Sequence, residues 1–408
     1  MLAAAKASCP ALAVASTTQK NEFICQVAHL LAGHAEMVLA ANARDLDAAA
    51  DRPSALRDRL RLDNARLAAL ADAVRAIAAL PDPVGAITRR EVRPNGLVVA
   101  RQRVPLGVIG IIFEARPNVT VDAAVLAIKA GNAVILRGGT EASHTNRALL
   151  HLVRAALVDA GLPADAAQMP SNDDRGVVSA LVGRAGGLDL AIPRGGTALI
   201  DAVNAAARVP VIQHYQGVCH VYVDGAADLA MAEAIVVNAK AQRPGVCNAM
   251  EALLIDETIA SVAVPRLVGA LRAAGVTVRG CPATCALVGD QVVPASADDY
   301  GHEFLDFICL CAVVPGLSGA LAHIRAFGSR HTEAIITTDA ATASEFVRGV
   351  DCSCAVVNAS TRFNDGGCLG LGAEIGISTT KLHAYGPMGL EALTAERFVV
   401  HGQGQVRQ

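Results

Sequence analysis

Val104-Pro-Leu-Gly-Val-Ile-Gly-Ile-Ile112 is followed by Phe113-Glu-Ala-Arg-Pro-Asn-Val-Thr120. A run with helical spacing over 121–130 comes next, closed by Gly131-Asn132, and then Ala133-Val-Ile-Leu136 and Arg137-Gly-Gly-Thr140. The first and fourth pieces are short and almost wholly apolar, as strands covered on both faces of a parallel sheet are. A strand, a helix and a second strand in succession make a right-handed crossover unit. Ser143 stands where it would cap the next helix, which runs to Gly161-Leu-Pro163. The pattern returns downstream: a strand over 188–192, the loop Pro193-Arg-Gly-Gly-Thr197, a helix over 198–208 and a further strand over 209–212. Strands alternating with helices in this way predict an α/β fold with a doubly wound parallel sheet.

Both units place Arg-Gly-Gly-Thr directly after a strand and ahead of a helix. Glycines let a backbone approach a phosphate closely, a helix start offers free N–H groups with positive potential, and an arginine supplies a fork for a phosphate monoester. The pair therefore points to a phosphorylated nucleotide at the carboxyl ends of the strands. Neither unit is a G-x-G-x-x-G fingerprint, and ordinary glycine turns carry the same composition.

Upstream, residues 1–80 have helical spacing, as in Phe23-Ile24, Val27, Leu30-Leu31 and Leu67, Leu70, Val74, Ile77, closed by Pro81-Asp-Pro83. The apolar N-terminus faintly resembles a leader but is broken by Cys9-Pro10. Arg93-Pro-Asn-Gly96 and the strand-like residues after it predict a hairpin arm over 93–103. With 408 residues, 53% of them hydrophobic and 18% charged, the chain is long enough for two or three packed domains and is not disordered. A net charge of −3 recruits neither nucleic acid nor an anionic membrane. The apolar run over 304–322 contains Asp306, Pro315 and Gly316, so it reads as strand-like core rather than a membrane span. The 11 cysteines form no disulfide framework. Cys281-Pro-Ala-Thr-Cys285 has no second half, so no metal site is expected.

A second α/β region begins near Val218-Cys-His-Val-Tyr-Val223. It holds Asn238-Ala-Lys-Ala-Gln-Arg-Pro-Gly-Val-Cys-Asn-Ala-Met-Glu251, between a helical run and the strand-like Ala252-Leu-Leu-Ile255. A Pro-Gly break ends a helix and exposes backbone. Cys247 follows that break, with Lys240 and Arg243 near in sequence. Cations and helix ends lower a thiol pKa, so Cys247 is a candidate nucleophile beside the plainer reading of a small apolar residue. The loop Asn358-Ala-Ser-Thr-Arg-Phe-Asn-Asp-Gly-Gly367 is rich in donors and is a candidate for substrate binding, or a plain surface turn.

Six stretches carry a resemblance. They are Val104-Pro-Leu-Gly-Val-Ile-Gly110, Glu114-Ala-Arg-Pro-Asn-Val-Thr120, Gly131-Asn-Ala-Val-Ile-Leu-Arg-Gly-Gly139, Gln242-Arg-Pro with Cys247-Asn248, Asn358-Ala-Ser-Thr-Arg-Phe363, and Lys381-Leu-His-Ala with Gly386-Pro-Met-Gly-Leu-Glu-Ala-Leu-Thr394. They span nearly the whole chain, which resembles the gamma-glutamyl phosphate reductase family within the aldehyde dehydrogenase superfamily. The resemblance implies two doubly wound domains and a small β oligomerisation arm. It divides the chain into a cofactor-binding domain over 1–217 with the arm at 93–103, a catalytic domain over 218–377 and a C-terminal oligomerisation segment over 378–408.

The resemblance places Cys247 on the superfamily's nucleophile and Arg137, with Gly138 and Gly139, where a lysine reaches the adenosine ribose. Pro193, Gly195, Gly196 and Thr197 fall near the pyrophosphate, and Glu303 on the glutamate that holds the nicotinamide ribose. The hydrolytic members' Glu-Leu-Gly-Gly motif, which carries a water-activating base, is replaced by His214-Tyr-Gln-Gly-Val-Cys219. The implied reaction is NADPH-dependent reduction of L-glutamyl 5-phosphate to L-glutamate 5-semialdehyde through a Cys247 thioester, in proline biosynthesis. The Cys247 N–H and the Asn118 side chain are candidate oxyanion donors, and Arg116, Arg243 and Arg362 candidate substrate clamps. The partners implied are the substrate, further copies of the chain and the glutamate 5-kinase that makes the labile substrate, in the cytoplasm. The alternatives are a CoA-acylating aldehyde dehydrogenase and a non-catalytic scaffold.

Overall fold

The computed structural model describes residues 1–170, 176–213 and 216–407. Two parallel sheets, a three-stranded antiparallel one and a short antiparallel pair, Ile377–Ser378 with Gly386–Pro387, organise them. In the first, Val108–Phe113 lies between Ala133–Arg137 and Leu190–Arg194, with Ala167–Gln168 at one edge, all parallel. All six residues of Val108–Phe113 are buried, which is why the run shows no polar alternation.

The apolar run at 104–112 is not one strand. Val104 and Pro105 end the preceding strand, and the chain turns at Gly107, where φ is 125°. Only glycine fits there. A Cβ would collide with the carboxylate of Asp189, which accepts the Val108 N–H at 2.7 Å. The strand expected over 209–212 reduces to a single bridge between Val211 and Ala191. Pro210 has no N–H to give to a ladder.

Ser143 does not cap its helix. It is the first residue of Ser143–Asp159 and makes no capping bond. The orphan N–H groups of His144 and Thr145 go instead to the Asp45 carboxylate, at 3.2 and 2.8 Å, from the helix Ala35–Ala48. Pro10 likewise does not break the first helix, Leu2–Val14, whose Ala5 and Leu12 are fully buried on the first core. The upstream helices are pinned by Lys20, fully buried and paired with Asp82 at 3.0 Å.

The arm begins earlier than its turn. Ile87–Val92 pairs antiparallel with Val98–Pro105, and Thr394–His401 pairs on the other side, with Arg397 opposite Gln102. Just ahead of the last arm strand, Met388, Leu390 and Leu393 belong to the first core.

The second sheet has seven parallel strands. Met250–Asp256 sits centrally between Ile308–Val314 and Cys219–Val223. Alternation along the strands separates its faces. Val221, Leu253 and Ile336 pack with the helices Leu229–Ala241 and Ala260–Ala273. Tyr222, Leu254 and Ile335 pack with residues of Gly316–Phe327 and Ala340–Gly349. Helices on both faces make the sheet doubly wound. The run over 304–322, expected to be strand-like, divides at Pro315-Gly316 into the strand Ile308–Val314 and the helix Gly316–Phe327.

Candidate active site

Cys247 lies between the helix Leu229–Ala241 and the strand Met250–Asp256. Asp228 caps the helix through the N–H groups of Ala230 and Met231, at 2.8 and 3.0 Å. Pro244-Gly245 follows the helix end, and a tight turn from Val246 O to Ala249 N (3.0 Å) presents Cys247. The loop at 216–219 is pressed against it. A Cβ on Gly217 would collide with the Cys247 carbonyl, so this approach needs glycine. The Cys219 thiol donates to the same carbonyl at 3.2 Å.

The loop 358–367 is not a plain surface turn. Ser360, Thr361 and Asn364 are buried, and Thr361–Phe363 forms one 3-10 turn. Asn248, also buried, donates through Nδ2 to Asn364 O at 2.9 Å and Arg362 O at 3.4 Å. The residue after Cys247 therefore ties this loop to the thiol. Two residues on, the Gly366 N–H donates to Glu374 Oε2 at 2.9 Å.

The cation expected beside the thiol is elsewhere. Lys240 is fully buried and ion-paired with Glu251 at 2.7 Å. Burial pushes the Glu251 carboxyl up to about 7 against the pull of Lys240. Cys247 is surrounded by protein yet still reached by solvent, and burial pushes its thiol up to about 11. The field of Arg194 opposes that shift, while Glu374 and Glu303 reinforce it and the Cys247 N–H stabilises the thiolate. The expected lowering is therefore not found in the unliganded site, because desolvation outweighs the one strong cation.

Of the three arginines expected as clamps, Arg116 and Arg362 lie within reach of a charge on Cys247, and Arg243 lies near both of them. Burial, Arg194 and Arg59 lower the Arg116 guanidinium, a Cys247 thiolate opposes the shift, and Arg243 adds to it. Burial and Arg243 lower Arg362, and Cys247 again opposes the change. Arg362 Nε donates to Gln242 Oε1 at 2.9 Å. Arg243 is exposed and makes no ion pair among the described residues.

Asn118 precedes the helix Val119–Lys129, and its Nδ2 donates to Asp122 Oδ2 at 2.9 Å. Burial pushes Asp122 up to about 6 while the Asn118 amide holds it down. Glu303 accepts the Gly217 N–H at 2.8 Å, beside the point where Gly217 meets Cys247. His214 lies outside the described residues.

The two Arg-Gly-Gly-Thr units end the two strands of the first sheet that flank Val108–Phe113, one on each side. Arg137 Nε is buried with no acceptor. Gly138 and Gly139 are buried, and a Cβ would strike the Asn146 side chain at one and the Glu141 carboxylate at the other. Pro193 is a strand residue opposite Ile112 rather than part of a loop. Gly195, Gly196 and Thr197 are exposed at the start of Thr197–Ala206, where the Gly196 N–H donates to Glu114 Oε2 at 3.1 Å. The orphaned buried guanidinium nitrogen of Arg137 suits an anionic group.

Sequence reasoning missed two charged groups of the thiol's surroundings. Arg194 sat in a quoted motif and was assigned with its neighbours to a phosphate of the nucleotide. Glu374 had no local signal; only the folding of the segment after 366 brings it to the thiol.

This arrangement can be set beside known proteins. The aldehyde dehydrogenase family model matches residues 1–283. The gamma-glutamyl phosphate reductase of Nitratidesulfovibrio vulgaris is 53% identical, over 99% of this chain and 97% of that protein. The crystal structure of the gamma-glutamyl phosphate reductase of Thermotoga maritima superposes with a TM-score of 0.97 at 43% identity, covering 100% of this chain and 99% of that one. At 17% identity and a TM-score of 0.69, an acetylating aldehyde dehydrogenase of Geobacillus thermoglucosidasius shares the fold, covering 100% of this chain and 96% of its own. The chain belongs to the aldehyde dehydrogenase family, and within it to the gamma-glutamyl phosphate reductases. Membership makes it an oxidoreductase that works with a nicotinamide cofactor, and the unpartnered Arg137 Nε suits a phosphate of that group.

Proposed function

We propose that the chain reduces L-glutamyl 5-phosphate to L-glutamate 5-semialdehyde and inorganic phosphate, with NADPH, as the second step of proline biosynthesis. The observation that carries this reading is a cluster of arginines near one solvent-reachable thiol: Arg194, Arg116 and Arg362 lie within reach of its charge, and Arg243 lies near the last two. A doubly charged acyl phosphate with an α-carboxylate is the kind of substrate such a cluster neutralises.

Cys247 Sγ forms a bond to the acyl carbon, and the C–O bond to phosphate breaks with its electron pair leaving on oxygen. The thiol's proton leaves with the phosphate, whose second ionisation lies near pH ~6–7. No protein base is required, which agrees with Gln216-Gly217-Val218-Cys219 offering no carboxylate. The Cys247 N–H and the second amide proton of Asn118 are the donors for the oxyanion, with Asp122 holding the Asn118 amide. Bound NADPH supplies the hydride that takes the thioester to a hemithioacetal. Collapse of that adduct frees the aldehyde and the Cys247 thiolate, which takes a proton from solvent to restore the thiol.

Arg137, Gly138 and Gly139 hold the adenosine end, and Pro193, Gly195, Gly196 and Thr197 frame the pyrophosphate. Glu114, which now accepts the Gly196 N–H, yields that donor to the pyrophosphate. Glu303 serves the nicotinamide ribose. The part of the chain over 1–217 is the cofactor domain, 218–377 the catalytic domain, and the arm and tail pair with a second copy. The enzyme acts in the cytoplasm, where contact with glutamate 5-kinase would shelter the labile acyl phosphate.

The test is the reverse reaction, followed by nicotinamide absorbance with semialdehyde, NADP and phosphate. Turnover that depends on phosphate supports the reading. Turnover with coenzyme A in place of phosphate, or none with either, rejects it.

A further inference from the structure

Arg194 ends the strand Leu190–Arg194 of the first sheet, yet its guanidinium reaches toward residues of the second half of the site. It lies on Gly376, where a Cβ would collide with Nη1 and sit 2.8 Å from Cζ. Gly376 has φ 148°, a conformation that glycine tolerates, and it leaves the room the guanidinium fills. The same segment carries Glu374, which is tied through Gly366 to the loop that Asn248 anchors beside Cys247. Arg194 makes no hydrogen bond or ion pair with its guanidinium among the described residues. It is half-buried, with five donors uncommitted.

We propose that Arg194 is the phosphoryl-binding residue of this site: it holds the acyl phosphate's phosphoryl group against Cys247, where the departing phosphate takes the thiol's proton. The inference rests on the reduction proposed above and sorts the arginines that reading leaves undivided. Three arguments separate Arg194 from Arg116, Arg243 and Arg362. Its positive charge is the one that acts most strongly on Cys247. It is rooted in a strand rather than in a loop, so its reach is fixed. Arg362, by contrast, already donates to Gln242. A phosphate placed there also explains how a thiol held protonated by burial can react without a carboxylate base. The S–C bond forms, the C–O bond breaks, and the proton moves from sulfur to phosphate oxygen, giving thioester and hydrogen phosphate with no other reactant.

The experiment uses the full chain and its Arg194→Gln variant, in the reverse direction. The expected result is a rise of roughly tenfold or more in KM for inorganic phosphate. KM for the semialdehyde should change by less than about threefold, as only the phosphate contact is lost. In parallel, inorganic phosphate should slow alkylation of Cys247 by iodoacetamide in the parent and not in the variant, a readout that needs no turnover. Gly376→Ala, which keeps the charge but displaces the guanidinium, should reproduce the phosphate phenotype. An unchanged phosphate KM in Arg194→Gln, with phosphate still protecting Cys247, overturns the proposal while leaving the reduction intact. A parent enzyme that oxidises the semialdehyde without phosphate overturns both.

Discussion

The side-chain amide of Asn248 donates to the backbone carbonyl of Asn364 at 2.9 Å, so the residue that follows Cys247 is tied to the loop over 358–367. Asn248 and Asn364 are both buried. Replacing Asn248 by alanine leaves that carbonyl without its donor, at a cost of about 1–3 kcal/mol. Asn248→Ala should lower the melting temperature by a few degrees and cut kcat/KM, while Cys247 remains open to alkylation. Unchanged KM for the semialdehyde would show that the loop does not take part in binding.

Lys20 and Asp82 form a pair that is nearly inaccessible, with side chains 0% and 8% exposed. Removing one partner strands the other charge, which costs about 3–5 kcal/mol. Asp82→Ala should therefore destabilise the chain strongly in urea denaturation. The double change Lys20→Met with Asp82→Leu should recover most of the loss. A single variant as stable as the parent would show the pair to be dispensable.

Arg137 offers a buried Nε with no acceptor. A 2′-phosphate there gains a charge-assisted contact of about 1.5–3 kcal/mol. Arg137→Ala should lose most of the preference for NADPH while turnover with NADH survives, as read from KM for each cofactor. Equal losses with both would assign Arg137 to the fold instead.

Burial raises the Cys247 thiol from an ordinary 9.0 to about 11. The folded state therefore binds this proton more tightly than the unfolded chain. The stabilisation it gives is complete below the ordinary value and fades as pH rises toward 11. Alkylation of Cys247 in the unliganded enzyme should climb by about tenfold per pH unit from neutrality upward. A plateau below pH 8 would contradict the burial that the structure shows. Cys25 and Cys368 are exposed, so peptide mapping must separate them from Cys247.

Much of the fold was legible because its signals are local. The apolar runs over 104–112 and 133–136 announced buried parallel strands, and both Arg-Gly-Gly-Thr turns fell at the ends of strands that flank Val108–Phe113. The Pro-Gly break before Cys247 likewise fell where a helix has ended and a strand is about to start. What was not legible depends on partners distant in sequence. Nothing near Gln102 announces its pairing opposite Arg397, and nothing near Ser143 announces that Asp45 will cap its helix. Lys240 is three positions from Arg243, but one helical face buries it against Glu251 while the other residue stays in solvent. Arg194 belonged to a phosphate motif by sequence and to the thiol by geometry, because strand direction and Gly376 decide where its long side chain lies.

The account stands on a covalent thioester at Cys247, and the most direct measurement is phosphate-dependent oxidation of glutamate 5-semialdehyde by Cys247→Ser. Serine is nearly isosteric but hardly ionised near neutrality, and its ester accepts hydride poorly. The account predicts no detectable reduction of NADP by the variant, with melting temperature and NADPH binding close to those of the parent. Substantial turnover by Cys247→Ser under the same conditions would contradict it.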